Sequence, residues 1–306
     1  MIGPSATPAP IRSFLFVPGD SPHKLQKALT AGADALILDL EDAVMPDQKP
    51  EARRVISEFC TTRRGQQGPA LWIRINPVAA PESLLDLAAI MHAAPAGLVV
   101  PKVDGPTDLT RLSHYLDALE EQHSLAPGST SLLAVATETP SSLFSLGAYR
   151  GTTPRLFGLT WGAEDLAAGL SASNNRADDG TLGFTYQLAR SLCLAGARAA
   201  GVTPVETAMM NFRDPDAVFH YASRGRQDGF FGMMAIHPNQ VPAINRAFSP
   251  TSAEIAAAEA VIAAFANAAG AGAVALNGRM LDIPHLRQAQ HLLHLAQHFP
   301  APDSAA

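Results

Sequence analysis

Eight short β-rich runs, separated by helix-like or turn-rich stretches, confine this 306-residue chain to a small set of folds. They are RSFLFVP (12–18), ALILDL (35–40), ALWIRI (70–75), GLVVPKV (97–103), SLLAVATE (131–138), LFGLTW (156–161), VETAM (205–209) and GMMAIHP (232–238). Between several of them lie stretches with polar or Pro-containing starts suited to helices: SPHKLQKALTAG, KPEARRVISEFC, PESLLDLAAIMHAA and PTDLTRLSHYLDALEEQ. Strands alternating with helices pair in parallel. Eight of them over about 250 residues favour a closed α/β barrel, the TIM (β/α)8 fold, over an open sheet. The expected division is a barrel over residues 1–249 and a C-terminal helical extension over 250–306. The extension runs from an Ala-rich helix (251–268) through GAGAVALNGRMLD to a final helix, PHLRQAQHLLHLAQHF. It exceeds what a barrel needs and reads as a cap or as an arm reaching a neighbouring subunit.

Two of the runs close on carboxylates, Glu138 and Asp165, which are 27 positions apart. That is about one strand-helix-strand unit, so neighbouring parallel strands would deliver both groups to the carboxyl end of the sheet, where such folds keep their active sites. No cysteine stands near them, and the histidines are distant. Two bare carboxylates suit a hard cation that keeps room for water and substrate. The competing reading is helix capping, since Glu138 precedes TPSSLF and Asp165 lies in GAEDLAAGL.

Other strand ends supply further charge. Arg74 ends ALWIRIN, where a guanidinium can hold a substrate carboxylate in a fork or pair with an acidic neighbour. LDLED (38–42) crowds Asp39, Glu41 and Asp42, whose repulsion a cation, or Arg12 and Arg74, would relieve. Lys102 in VVPKV adds a cationic group, with little to support a Schiff base. Lys24 or Lys27, in PGDSPHKLQKAL, can meet phosphates at a helix start or simply form a solvated face. His291, His294 and His298 share a helix face at spacings that permit adventitious metal binding. The Asn-, Asp- and Gly-rich stretch 169–184 is long enough to cover the site, and equally reads as a surface insertion.

Composition narrows the partners. A net charge of −6 leaves no overall basic footprint for nucleic acid, and there is no GxGxxG or GxxxxGK[ST] nucleotide motif. Cys60 and Cys193 are too few for a disulfide framework or a zinc site. MIGPSATPAP lacks the apolar core of a signal peptide, and no run is long and apolar enough for a membrane helix. A cytoplasmic protein with its first ten residues frayed is expected.

Taken in order, RSFLFVPGD, ALILDLEDAV, WIRIN, VVPKV, TETP, GAEDLAAGLS, MAIHPNQV and GRMLDIPHLRQA resemble the HpcH/HpaI aldolase/citrate lyase β-subunit family, especially its CitE-like acyl-CoA lyase branch. The resemblance runs from about Arg12 to His298. It implies a Mg²⁺-dependent barrel that cleaves or forms a 3-hydroxyacyl-CoA such as malyl-CoA or citramalyl-CoA. The partners implied are a CoA thioester and a small 2-keto acid of the glyoxylate, pyruvate or oxaloacetate class, in a homo-oligomer, trimer or hexamer. It assigns Glu138 and Asp165 to the metal and Arg74 to the substrate carboxylate. Glu41 and Asp42 become the acidic pair that orders water, and the Gly162–Ala163–Glu164 backbone faces the keto acid. Asp282 becomes an acid/base brought over the site of an adjacent subunit, although without the resemblance it reads as the N-cap of the last helix. Met233 stands where many relatives carry lysine, which is expected to weaken one contact to an anion. SSLFSLGAY after TETP departs from the usual Ala- and Arg-containing continuation, and citryl-CoA specificity is not carried over. An aldolase for free 2-keto acids, an acyl-CoA thioesterase and a non-catalytic CoA-ester or keto-acid binder are the alternatives.

Overall fold

The computed structural model describes residues 10–299 apart from 269 and 271. Eight parallel strands close into a barrel in chain order: β1 (Ser13–Pro18), β2 (Ala35–Asp39), β3 (Ala70–Arg74), β4 (Gly97–Val100), β5 (Ser131–Val135), β6 (Leu156–Thr160), β7 (Thr203–Glu206) and β8 (Gly232–Ala235), with β8 pairing back onto β1. The fold is the TIM barrel that the sequence implies. The two-residue period of each strand sorts its side chains. Phe14, Ile37, Trp72, Val99, Leu133, Val135 and Met234 fill the barrel interior. Leu15, Leu36, Leu38, Ile73 and Leu98 face the opposite way and pack under the helices. Met233 belongs to this outer layer and is fully buried. The expected loss of an anion contact at Met233 therefore does not apply, because its neighbour Met234 is the one that faces the cavity described below.

The barrel helices are α1 (Pro22–Ala28), α2 (Lys49–Arg63), α3 (Glu82–Ile90), α4 (Pro106–Gln122), α5 (Ala163–Gly169), α6 (Phe184–Ala200), α7 (Pro215–Asp228) and α8 (Val241–Phe248). Two details differ from the sequence pattern. The crossover from β5 to β6 carries two 3-10 turns, Ser141–Phe144 and Leu146–Ala148, instead of an α-helix. Ser142 bonds the Thr139 carbonyl at 2.6 Å, the local competition that draws serine away from regular helix. The second turn leans on α6, where a Cβ at Gly196 would stand 2.4 Å from the Leu146 carbonyl oxygen. The seventh strand lies two residues earlier than VETAM suggested and stops at Glu206, because Thr207 turns its N–H onto the Glu206 carboxylate and the Met209 carbonyl is taken by Gln240.

Beyond α8 the chain forms α9 (Ser252–Asn267), a hairpin of β9 (Ala273–Leu276) and β10 (Arg279–Asp282), and α10 (Ile283–His298). The expected division at 249/250 falls between α8 and α9. The hairpin was not anticipated, although its Asn277–Gly278 turn, with both φ angles positive, is the usual two-residue hairpin signal. Phe265, Val274 and Leu281 give the extension a small core. Its last helix folds back onto the amino-terminal face of its own barrel: His291 lies 4.7 Å from Phe231, and Arg12 covers Phe299 at 4.0 Å. The expected fraying of the first ten residues falls, up to residue 9, outside the described residues. Among the described residues no helix is long and apolar enough to cross a membrane.

Candidate active site

The alternation that fills the barrel also aims its last inward residues at the carboxyl-end rim. Asp39 and Arg74 are register partners on β2 and β3, and the guanidinium forks onto the Asp39 carboxylate at 2.7 and 2.6 Å. Arg74 Nη1 also lies 2.8 Å from Glu41 Oε2, out of line for a hydrogen bond, so that buried oxygen has no hydrogen-bond partner. Arg74 thus fulfils the ion-pair alternative while keeping N–H groups that Asp39 does not take. Arg12, the other arginine considered for this cluster, sits at the opposite end of the barrel on Asp34, at 2.8 Å.

Lys102 holds the rest of the cluster together. It follows β4 with φ of 51°, a left-handed backbone that costs a lysine energy and recurs at functional sites. This turn sends its N–H to Glu138 Oε2 at 2.6 Å and its ammonium to Glu41, to Asp42 at 3.0 Å and to Asp165 at 3.4 Å. Sequence reasoning read Lys102 as a cationic group at this strand end, with little to support a Schiff base, and did not foresee it as the common partner of four carboxylates. Only the unusual backbone reveals that role.

Glu138 lies on the segment following β5 and is 7 % exposed. It caps no helix. Gly162, at the end of β6, presses against it: a Cβ there would approach Glu138 Cγ to 3.1 Å and Oε1 to 3.2 Å. The Gly162 N–H donates to Thr137 at 3.0 Å, which leaves the Ala163 and Glu164 N–H groups, not that of Gly162, open for a ligand. Gly162 is also the residue that precedes α5, so Asp165 stands in the first helical turn without being its cap.

The charge balance is uneven. Asp39, Glu41, Asp42, Glu138 and Asp165 face two cations, Arg74 and Lys102. Burial and the neighbouring charges of Asp165 and Glu41 push the Glu138 carboxyl up to about 8, against the opposing Lys102 N–H. Burial also raises Glu41, despite Arg74 and Lys102. At Asp42 burial is outweighed by the Lys102 hydrogen bond and charge, and its pKa is lowered. An orphaned carboxylate oxygen on Glu41 and a Glu138 strained by like charges are what a divalent cation would relieve. Among the described residues no three His, Cys, Asp or Glu side chains form a ready metal cage, the histidines of α10 included. Magnesium asks for none, since one or two carboxylates plus water and substrate suffice.

Glu138, Asp165, Arg74, Gly162, Ala163 and Glu164 all line one cavity of about 140 Å³, room for an acid of a few carbons and not for CoA. Trp161, Thr207 and Tyr221 form another wall, and Arg176 and Leu182, from the 170–183 loop, also line the cavity. Behind that wall Glu206, fully buried and missed from the sequence, accepts from Trp161 at 2.6 Å, Arg190 at 2.8 Å and Tyr221 at 3.3 Å. Glu41 and Asp42 do not line the cavity but join its rim through Lys102, whereas two expected residues stand apart altogether. Lys24 is exposed on α1, and Asp282 is exposed beside α10, paired with His285 at 2.5 Å. Neither lines the cavity.

Comparison with known proteins identifies the family. Residues 12–238 match the model of the HpcH/HpaI aldolase/citrate lyase family. The citrate lyase subunit beta of Haemophilus influenzae is 30% identical over 288 residues, covering 94% of this chain and 97% of that protein. A (3S)-malyl-CoA thioesterase of Cereibacter sphaeroides is 33% identical over 291 residues, covering 94% and 95%. The structure of the protein CitE from Mycobacterium tuberculosis, in complex with magnesium, acetoacetate and coenzyme A, superposes with a TM-score of 0.75 at 28% identity, over 95% of this chain and 99% of that one. Shared barrel, shared length and a family match over three quarters of the chain lead to one conclusion: this protein belongs to the HpcH/HpaI aldolase/citrate lyase family.

Proposed function

We propose that the protein is a Mg²⁺-dependent carbon–carbon lyase that splits a 3-hydroxyacyl-CoA, of the malyl-CoA or citramalyl-CoA kind, into a 2-keto acid and an acyl-CoA, or joins them. The observation that carries this reading is the buried Glu138 carboxylate beside Asp165 at a cavity of keto-acid size. Glu138 and Asp165 hold the metal, which when bound supplies the charge that makes the substrate hydroxyl more acidic. Arg74, anchored by Asp39, presents its remaining N–H groups to the substrate carboxylate. The Ala163 and Glu164 N–H groups meet the developing oxyanion. Glu41 and Asp42, fixed by Lys102, order the water around it.

In cleavage the hydroxyl loses its proton, the bond between the hydroxyl-bearing carbon and the thioester α-carbon breaks, and the acyl-CoA enolate takes up a proton at carbon. Condensation is the reverse. Asp282 of a neighbouring subunit serves as the acid/base in a homo-oligomer, trimer or hexamer, and Lys24 on the rim meets the phosphates of CoA. We place the enzyme in the cytoplasm. A thioesterase of the same substrates is the second reading, favoured by the Cereibacter relative.

Incubation of the purified protein and Mg²⁺ with malyl-, methylmalyl-, citramalyl- and citryl-CoA, products followed by mass spectrometry, tests the proposal. Acyl-CoA and keto acid are expected in equal amounts from at least one thioester. Free hydroxy acid carrying oxygen from labelled water would instead identify the thioesterase. Saturable binding without turnover of any thioester would identify a binding protein.

A further inference from the structure

We infer that Glu206, which does not line the cavity, is a positioning residue: through the Trp161 indole it sets the angle of the turn whose Ala163 and Glu164 N–H groups meet the oxyanion. The inference rests on reading that turn as the oxyanion contact. Register pairs between β6 and β7 end at Thr160 and Val205. Trp161 is the residue that follows β6, and its indole N–H donates across to Glu206 Oε1 at 2.6 Å. Gly162 is held from the other side, where its N–H donates to the Thr137 hydroxyl at 3.0 Å and its carbonyl accepts from that hydroxyl at 3.4 Å. The chain is thus pinned at two successive residues, from β7 and from the segment after β5, immediately before its open N–H groups.

The carboxylate is itself fixed on every side. Glu206 is fully buried, and both its oxygens are taken. Oε1 accepts from Trp161, from the Thr207 N–H at 3.0 Å and from the Tyr221 hydroxyl at 3.3 Å. Oε2 lies 2.8 Å from Arg190 Nε and 2.6 Å from its Nη2, while Nη1 of the same arginine reaches Asp228. One side chain therefore joins the end of β6 to β7, α6 and α7. Helix α7 makes room for it at Gly225, where a Cβ would stand 3.1 Å from Glu206 Oε2. A glycine inside a helix is destabilising against alanine, and here it leaves the space that the carboxylate fills.

Stability alone does not call for this arrangement. A buried ion pair replaced by well-packed apolar groups of similar volume often leaves a protein just as stable. What apolar groups cannot do is hold an indole N–H in one direction. Direction matters because Trp161 and Gly162 lead at once into Ala163, Glu164 and Asp165, all of which line the cavity. Oxyanion donors help only when aimed at the place where charge develops, and a misplacement of about 1 Å costs about a hundredfold in rate. Glu206 stands behind the wall and acts on the reaction through Trp161.

Steady-state cleavage of malyl-, methylmalyl-, citramalyl- and citryl-CoA at saturating Mg²⁺, together with amide hydrogen exchange over residues 156–168 read by mass spectrometry, tests this for wild type, Trp161→Phe and Glu206→Gln. Trp161→Phe removes the tie while keeping an aromatic ring and the pair of Glu206 with Arg190. Glu206→Gln leaves one acceptor oxygen for donors that now use two, and Trp161→Phe carries the test where Glu206→Gln does not fold. Both variants are expected to lower kcat about ten- to a hundredfold, with KM held within about threefold. Exchange over 156–168 should rise about tenfold while exchange over 70–76 stays as in wild type. Variants of an active wild type that keep kcat, whose loss lies in KM, or whose exchange over 156–168 is unchanged would overturn the positioning role and leave the lyase reading standing. Protection lost equally over 70–76 would overturn it too, as the mark of general loosening. Turnover of none of the thioesters by wild type would overturn both.

Discussion

Lys102 and Gly162 show how single residues set this site. The Lys102 ammonium is the shared cation of Glu41, Asp42 and Asp165, so its removal leaves their repulsion uncompensated. Lys102→Met is expected to lower stability by about 1–2 kcal/mol without metal, and added Mg²⁺ should restore more stability than it gives wild type. Thermal melts with and without Mg²⁺ check this; an equal Mg²⁺ effect in both proteins would contradict it. Gly162 has no side chain to hold Glu138 off. Gly162→Ala should therefore displace that carboxylate and weaken Mg²⁺ binding about tenfold or more while the far-UV spectrum stays unchanged. Undiminished Mg²⁺ affinity by calorimetry would show that Glu138 is not held by this contact. Legibility at this scale followed strand geometry. Arg74, which ends β3, and Glu138 and Asp165, on the segments that follow β5 and β6, could be placed at one rim because the polarity of parallel strands is known. Lys102 could not, because its role depends on a positive φ that the residue type disfavours. Nor could Glu206, which lies at a strand end placed two residues off.

Elements keep those residues in register. The unit from α4 to β6 is fastened by Arg155, which bonds the fully buried Glu120 at 2.6 and 2.7 Å and Asp117 at 2.6 Å. Burial works against the Glu120 carboxylate, but Arg155 and the Thr130 and Gly128 N–H groups outweigh it and bring its pKa down to about 2. Because the folded value lies below the unfolded one, this stabilisation is full above the ordinary glutamate range and fades as the pH falls towards 2. Glu120→Gln is expected to cost about 3–5 kcal/mol at pH 7, the range for breaking a buried pair, and less as the pH falls. Urea melts at pH 7 and pH 3 measure it, and a pH-independent cost would contradict the assignment. The strands were legible from β-rich runs, every start but that of β7 within one residue, although β4, β5 and β8 end three residues before their runs do. The 3-10 crossover was not, since SSLFSLGA takes its form from α6 packing close at Gly196. The β9–β10 hairpin announced itself in Asn277–Gly278, a signal overlooked amid small residues.

At the scale of the whole molecule, the carboxylate rim lies at the carboxyl end of the strands, whereas α10 packs against the amino-terminal face through Phe231 and Arg12. Asp282 is exposed and does not line its own cavity, so the acid/base role proposed for it calls for a second copy. If it acts there, inactive Asp282→Asn and Glu138→Gln subunits should regain part of the thioester cleavage when mixed; no recovery despite demonstrated subunit exchange would remove Asp282 from the chemistry. Glu138 and Asp165 are proposed to hold the metal together. A crystal structure grown with Mn²⁺ and pyruvate, read by anomalous scattering, tests it most directly. One strong peak is expected at bonding distance from both carboxylates, with the keto acid beside it. A peak elsewhere, or none while pyruvate is bound, would contradict it.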